Sequence, residues 1–340
     1  MIIAIFIINF VVVVIIYNKI KCEGRITLNN KKSRIKDICL NSKYYAIKNT
    51  MIANIGQYYT YFCILLSIII ITVITYFIAS KGLSTFFKNG INLFDFLFGT
   101  QWKPEHDTTP LFGAFPFIFG SFSVTILAVL LSTPLSVGAA IFMAEISPKW
   151  GAKFLQPVIE LLIGIPSVVY GFIGLSIIVP FIRNTFGGMG FSLASGMIVL
   201  AIMILPTITS VSYDALKSLP SGLKDASYAL GATRWQTIYR VLIPTALPNI
   251  LTGIVLGMAR AFGEALAVQM VIGNVQRLPS SILDSVSTLT SILTLEMSNT
   301  IAGTTYNNAL WSMALILLLM SFVFIMIIRI LGKGSKLNER

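Results

Sequence analysis

"YDALKSLPSGLKDASYALGATRWQTIYRVLIPTALPN", residues 213–249, sets a stretch of mixed polar and apolar residues between two runs apolar enough to cross a bilayer. Loops of that length usually carry function. Pro220 and Gly222 open it, and Leu223, Ala226, Ala229 and Leu230 then recur at helical spacing. Gly231 interrupts, and a second periodic run passes through Trp235, Ile238 and Val241 to Pro244. The pattern predicts two short amphipathic helices hinged at Gly231, lying at the inner face of a membrane. By amphipathicity alone they are interfacial helices, with Trp235 and Tyr239 as headgroup anchors.

The residues around the loop support a membrane setting. Of 340 residues, 56% are hydrophobic and 11% charged, and the mean hydropathy is +0.84, far above a soluble domain. At about 20 apolar residues per crossing helix, six spans are expected, near 59–79, 118–144, 157–182, 193–212, 246–272 and 308–331. Pro134 falls mid-way along the second and predicts a kink or tilt. The fold class is therefore all-α and polytopic, with six core transmembrane helices.

Lysine and arginine orient these spans, because cytoplasmic loops carry the excess. Residues 17–50 hold nine of them, and alternation then places Lys149, Lys153, Lys217, Lys224, Arg234, Arg240 and the basic tail on the same inner side. The net charge of +12 is thus a topology signal and not a nucleic-acid surface. Cys22, Cys39 and Cys63 show no CxxC spacing, and His106 is the lone histidine, so neither a disulfide framework nor a metal centre is indicated. The apolar stretch 1–16 is short, is interrupted by Asn9, and lacks a signal peptide's basic start and cleavage site. Residues 1–50 are read either as an extra N-terminal span followed by a basic cytoplasmic stretch, or as an extension dispensable to a functional chain starting at Met51. The remaining divisions are 51–117 (first core span and outer loop), 118–331 (the transmembrane domain carrying loop 213–244) and 332–340 (a cytoplasmic tail).

Within the loop, "DASYALGATRWQTIYRVLIP" resembles the EAA loop of ABC importer permeases: Glu-Ala-Ala, three residues, Gly, nine residues, Ile, one residue, Leu-Pro. The matching positions are Asp225, Ala226, Ser227, Gly231, Val241, Ile243 and Pro244. Asp stands for Glu and Ser for the second Ala. The resemblance implies a coupling helix that seats in a groove of a cytoplasmic ATPase, with Asp225, Ala226, Gly231 and Pro244 as its key positions. No GxxxxGK[ST] phosphate loop, GxSxG elbow or paired catalytic carboxylates occur in the chain. The chain is thus expected to be a transport subunit and not an enzyme, binding no cofactor itself, with ATP and magnesium used by a separate ATPase.

"LLIGIPSVVYGFIGL" (161–175) and "GMARAFGEALAVQMVIGN" (257–274) are similar to stretches of the permeases of the high-affinity phosphate ABC importer. They lie closer to its PstC branch than to its PstA branch, and residues 112–145 agree. The resemblance covers about residues 59–331. It implies a MetI-like permease fold in the cytoplasmic membrane of a prokaryote, translocating inorganic phosphate by alternating access. The implied partners are a PstA-type second permease, an ATPase dimer inside and an extracytoplasmic phosphate-binding protein. Another oxyanion such as molybdate or sulfate is the alternative substrate. A secondary transporter is disfavoured, because it would leave loop 213–244 without a purpose.

Two ionisable residues stand out. Arg260 lies 12 residues beyond Pro248, about 18 Å along a helix and near mid-depth. A charge at that depth must face the bundle interior or a partner. Glu264, four residues on, is expected to share its face and pair with it. One reading is a buried ion pair that locks the span. The other has Arg260 offering its forked donors to phosphate while Glu264 holds it near neutrality. In the third span, Gly164, Gly171 and Gly174 permit close helix approach and Pro166 breaks the backbone, while Ser167 and Tyr170 are candidates to face the route.

Overall fold

A computed structural model describes the backbone of residues 35–104 and 111–334. The apolar stretch 1–16, His106 and the end of the tail lie outside the described residues. The chain divides into two units, residues 1–76 and 77–340. In the first, the described residues belong to helix Ile35–Phe87. Tyr58, Phe62, Ile68 and Ile71 of that helix are more than half exposed, a surface suited to lipid tails.

Among the described residues six helices are long and apolar enough to cross a membrane: Gly56–Phe87, Phe115–Ile146, Ser167–Phe186, Leu193–Lys217, Arg234–Phe262 and Thr305–Met326. These are the first to sixth spans below. Among the described residues the strands are two-residue pieces, Trp102–Lys103 antiparallel to Leu111–Phe112, and helix predominates elsewhere. Trp102 and Phe112 sit in an aromatic cluster with Phe96 and Phe117.

Three spans differ from the hydropathy reading. The second continues as α-helix through Pro134 to Ile141 and finishes in a π-turn, Phe142–Ile146. The third does not begin at 157. An amphipathic helix, Trp150–Gly164, precedes it; the chain extends at Ile165 and Pro166, and the span starts at Ser167. The cause is Pro166, which lacks the N–H that Leu162 would accept in a continuous helix and pushes Ile165 into extended backbone. The fifth span begins earlier, at Arg234, and stops at Phe262, short of the expected 272.

Of the three glycines expected to allow close helix approach, Gly171 and Gly174 of the third span do so, and Gly164, at the end of the preceding helix, does not. A β-carbon on Gly171 would lie 2.9 Å from the Cα of Ala267, and one on Gly174 would lie 2.8 Å from Val271 Cγ1, whereas Gly164 faces open space. The second, third and fourth spans and segment 261–272 share one core, including Val124, Ala128, Leu200, Ile204, Ala267 and Val271. A second core joins the predicted inner ends of the second, fourth and fifth spans through Met143, Tyr213, Leu216, Ile238 and Leu242.

Candidate functional site

Arg260 occupies the last turn of the helix ending at Phe262, where the partial negative charge of the helix terminus favours a cation. Its Nη1 donates to Thr207 Oγ1 at 3.0 Å. Thr207 stands 14 residues from Leu193 and 10 from Lys217 in the fourth span, so about 21 and 15 Å from its two ends. The guanidinium therefore lies near the middle of that span. It opens onto a pocket of about 480 Å³ lined by Ile163, Thr207, Ser210, Val211, Leu256, Ala259 and Arg260. None of these lining residues is acidic, and the remaining N–H groups of Arg260 make no hydrogen bond among the described residues.

The expected pairing of Arg260 with Glu264 is not formed. The helix ends at Gly263, so the four-residue spacing no longer places the two side chains on one face. Glu264 Oε1 instead accepts from the Ala267 N–H at 3.1 Å, at the start of the short helix Leu266–Gln269. Its backbone carbonyl accepts from Thr290 Oγ1 at 2.8 Å. Glu264 thus shapes the turn after the fifth span. Neither of the two readings of Arg260 foresaw Thr207 or Ser210. The signal available for them was a Ser/Thr cluster following Pro206 in an otherwise apolar run.

Tyr170 does not face the pocket. It is buried, and its hydroxyl donates to the Leu162 carbonyl at 2.8 Å, the acceptor that Pro166 leaves without its usual amide. Ser167 opens the third span half-buried and is not among the residues lining the pocket.

The loop 213–244 folds as helix Ser221–Ala229, a corner at Gly231, and the beginning of the fifth span at Arg234. Its second arm is therefore not a separate short helix. That arm runs through a π-turn, Ile238–Leu242, into Ile243–Phe262, a register change that accommodates Pro244 in the first turn of the latter. Gly231 has φ of +78°, a backbone state that glycine adopts without steric cost. The corner is braced: the buried hydroxyls of Ser227 and Thr237 are hydrogen-bonded at 2.9 Å, and Thr233 caps the second arm in a reciprocal box with Gln236. The corner thus falls at Gly231, where the sequence placed the joint, with these bonds across it. Asp225 and Ala226 lie on its exposed side, together with Leu230 (89% exposed) and Trp235 (64%).

Sequence reasoning also missed Glu145. Lys224 Nζ lies 2.6 Å from Glu145 Oε1, the one ion pair among the described residues. Arg234 Nη2 donates to the backbone carbonyls of Glu145 and, at 3.1 Å, Ile146.

Residues 136–336 match the family described as "Binding-protein-dependent transport system inner membrane component". The chain belongs to that family. This permease is 58% identical over 275 residues to the probable ABC transporter permease protein YqgH of Bacillus subtilis, covering 81% of this chain and 89% of that one. It is 34% identical over 256 residues to the phosphate transport system permease protein PstC of Mesorhizobium japonicum, covering 69% and 77%. Among solved structures it is similar to a bacterial ABC transporter involved in import of the acidic polysaccharide alginate, with a TM-score of 0.56, 15% identity, and coverage of 84% of this chain and 98% of that one. At that identity the likeness concerns fold alone. The permease thus has the expected MetI-like ABC permease fold and is a multi-pass protein of the cytoplasmic membrane. Its family comprises transport subunits that work with an ATPase and a substrate-binding protein.

Proposed function

We propose that this permease is the PstC-type subunit of an importer of inorganic phosphate, and that Arg260 meets the anion during passage. The observation that carries this reading is the guanidinium at mid-span, held by one neutral hydroxyl and opening onto a pocket with no acidic lining. Forked N–H donors suit phosphate oxygens, and Ser210 adds a hydroxyl on the same wall. The identity to PstC proteins of several bacteria supports phosphate over other oxyanions. Phosphate carries between one and two negative charges at neutral pH, so a second cation is expected from a PstA-type partner permease. In this reading ATP and magnesium are used by an ATPase dimer seated on the exposed side of the Gly231 corner. A phosphate-binding protein delivers the substrate from outside.

The test is uptake of labelled phosphate by vesicles holding the whole complex, with vanadate as inhibitor and molybdate and sulfate as competitors. Vanadate-sensitive uptake of phosphate that neither molybdate nor sulfate reduces supports the reading. Preferential uptake of molybdate or sulfate would reassign the substrate, and vanadate-insensitive uptake would remove the ATPase from the scheme.

A further inference from the structure

We infer that Glu145 is the positioning residue through which movement of the coupling corner reaches the second span. The inference rests on the coupling role proposed above for loop 213–244. Two cations on opposite arms of the corner, Lys224 and Arg234, end on this one residue. Lys224 takes its carboxylate, and Arg234 takes its backbone carbonyl and that of Ile146. Carbonyls in the last turn of a helix have no amide of their own helix to accept from, and the helix dipole favours a cation there. The Glu145 side chain is only 8% exposed, and a carboxylate so placed strongly disfavours losing its partner.

The corner itself does not bend easily, because the Ser227–Thr237 bond closes it from within. A push on its exposed side, at Leu230 and Trp235, therefore moves both cations together, and with them the end of the second span. That end is packed through Met143 against Tyr213 and Leu216 of the fourth span and Ile238 and Leu242 of the fifth. The fourth and fifth spans carry Thr207 and Arg260. Lys224 is the partly exposed member of the pair, at 30%, so it can be changed with less disturbance to the interior than Glu145.

The experiment uses the whole complex with its ATPase and binding protein in proteoliposomes, measuring phosphate uptake and ATP hydrolysis together. Glu145→Gln, Lys224→Met and the double variant are compared with the exchanged pair Glu145→Lys with Lys224→Glu. The expected result is at least a tenfold fall in uptake for each single variant, a smaller fall in hydrolysis, and so less phosphate moved per ATP. The double variant should be no worse than the worse single, and the exchanged pair should recover part of the ratio. A wild-type ratio in Glu145→Gln, or single losses that multiply in the double variant, would overturn the inference. If Glu145→Gln does not assemble, Lys224→Met and the double variant decide the matter, since Lys224 is partly exposed and the double variant leaves no unpaired charge. Failure of the underlying coupling reading shows differently: the ATPase would remain bound when Leu230 and Trp235 are changed to Ser.

Discussion

The first and fourth spans are both long and apolar, yet they occupy opposite situations. The most apolar window of the first has none of its residues buried, whereas that of the fourth is 61% buried. The more apolar helix is the exposed one. Lipid tails are as apolar as Leu, so burial in a bundle is won by packing and polar contacts and not by hydropathy. Both spans carry serines and threonines, but Ser195, Thr209 and Ser212 of the fourth are fully buried in the bundle, whereas Thr60 and Thr72 of the first are exposed and bond back to their own helix.

That contrast can be broken most sharply at the charge the fourth span holds. Arg260→Gln should abolish uptake while the complex still assembles, as read by labelled phosphate and co-purification of the ATPase; normal uptake would remove Arg260 from the route. Ile204 in the fourth span is fully buried, and Ile204→Ala should cost about 2 to 5 kcal/mol, seen as a lowered melting temperature of the purified complex. Thr207→Val removes the acceptor that holds Arg260. A hydrogen bond to a charged group contributes about 1.5 to 3 kcal/mol, so uptake should fall by about tenfold or more with assembly unchanged. Ile69 of the first span is 52% exposed, and Ile69→Ala should shift stability by less than about 0.5 kcal/mol. A loss there as large as at Ile204 would mean that the first span is covered in the assembled complex.

The sequence made the number of spans and the place of the inner loop readable, because hydropathy and lysine–arginine bias act over many residues. Helix ends were less readable. Apart from Glu160, residues 157–182 carry no charge, so hydropathy alone could not show the interruption at Pro166. The Arg260–Glu264 pairing assumed a continuous helix, whereas the helix stops at Gly263 and the chain beyond it packs Ala267, Val271 and Ile272 into the core with other spans. Glu145 was invisible for a related reason. Its partners lie 79 and 89 positions away, and no local spacing records a contact made by the returning chain.

The bond from Tyr170 to Leu162 gives the third span an unusual entrance. A proline removes one rung of the helical ladder, and a side chain from the next turn replaces it. Helix Trp150–Gly164 and the span are thus tied across an extended break by one side-chain hydrogen bond. Because the tie is a hydroxyl and not a backbone amide, a single oxygen atom closes the rung across this break.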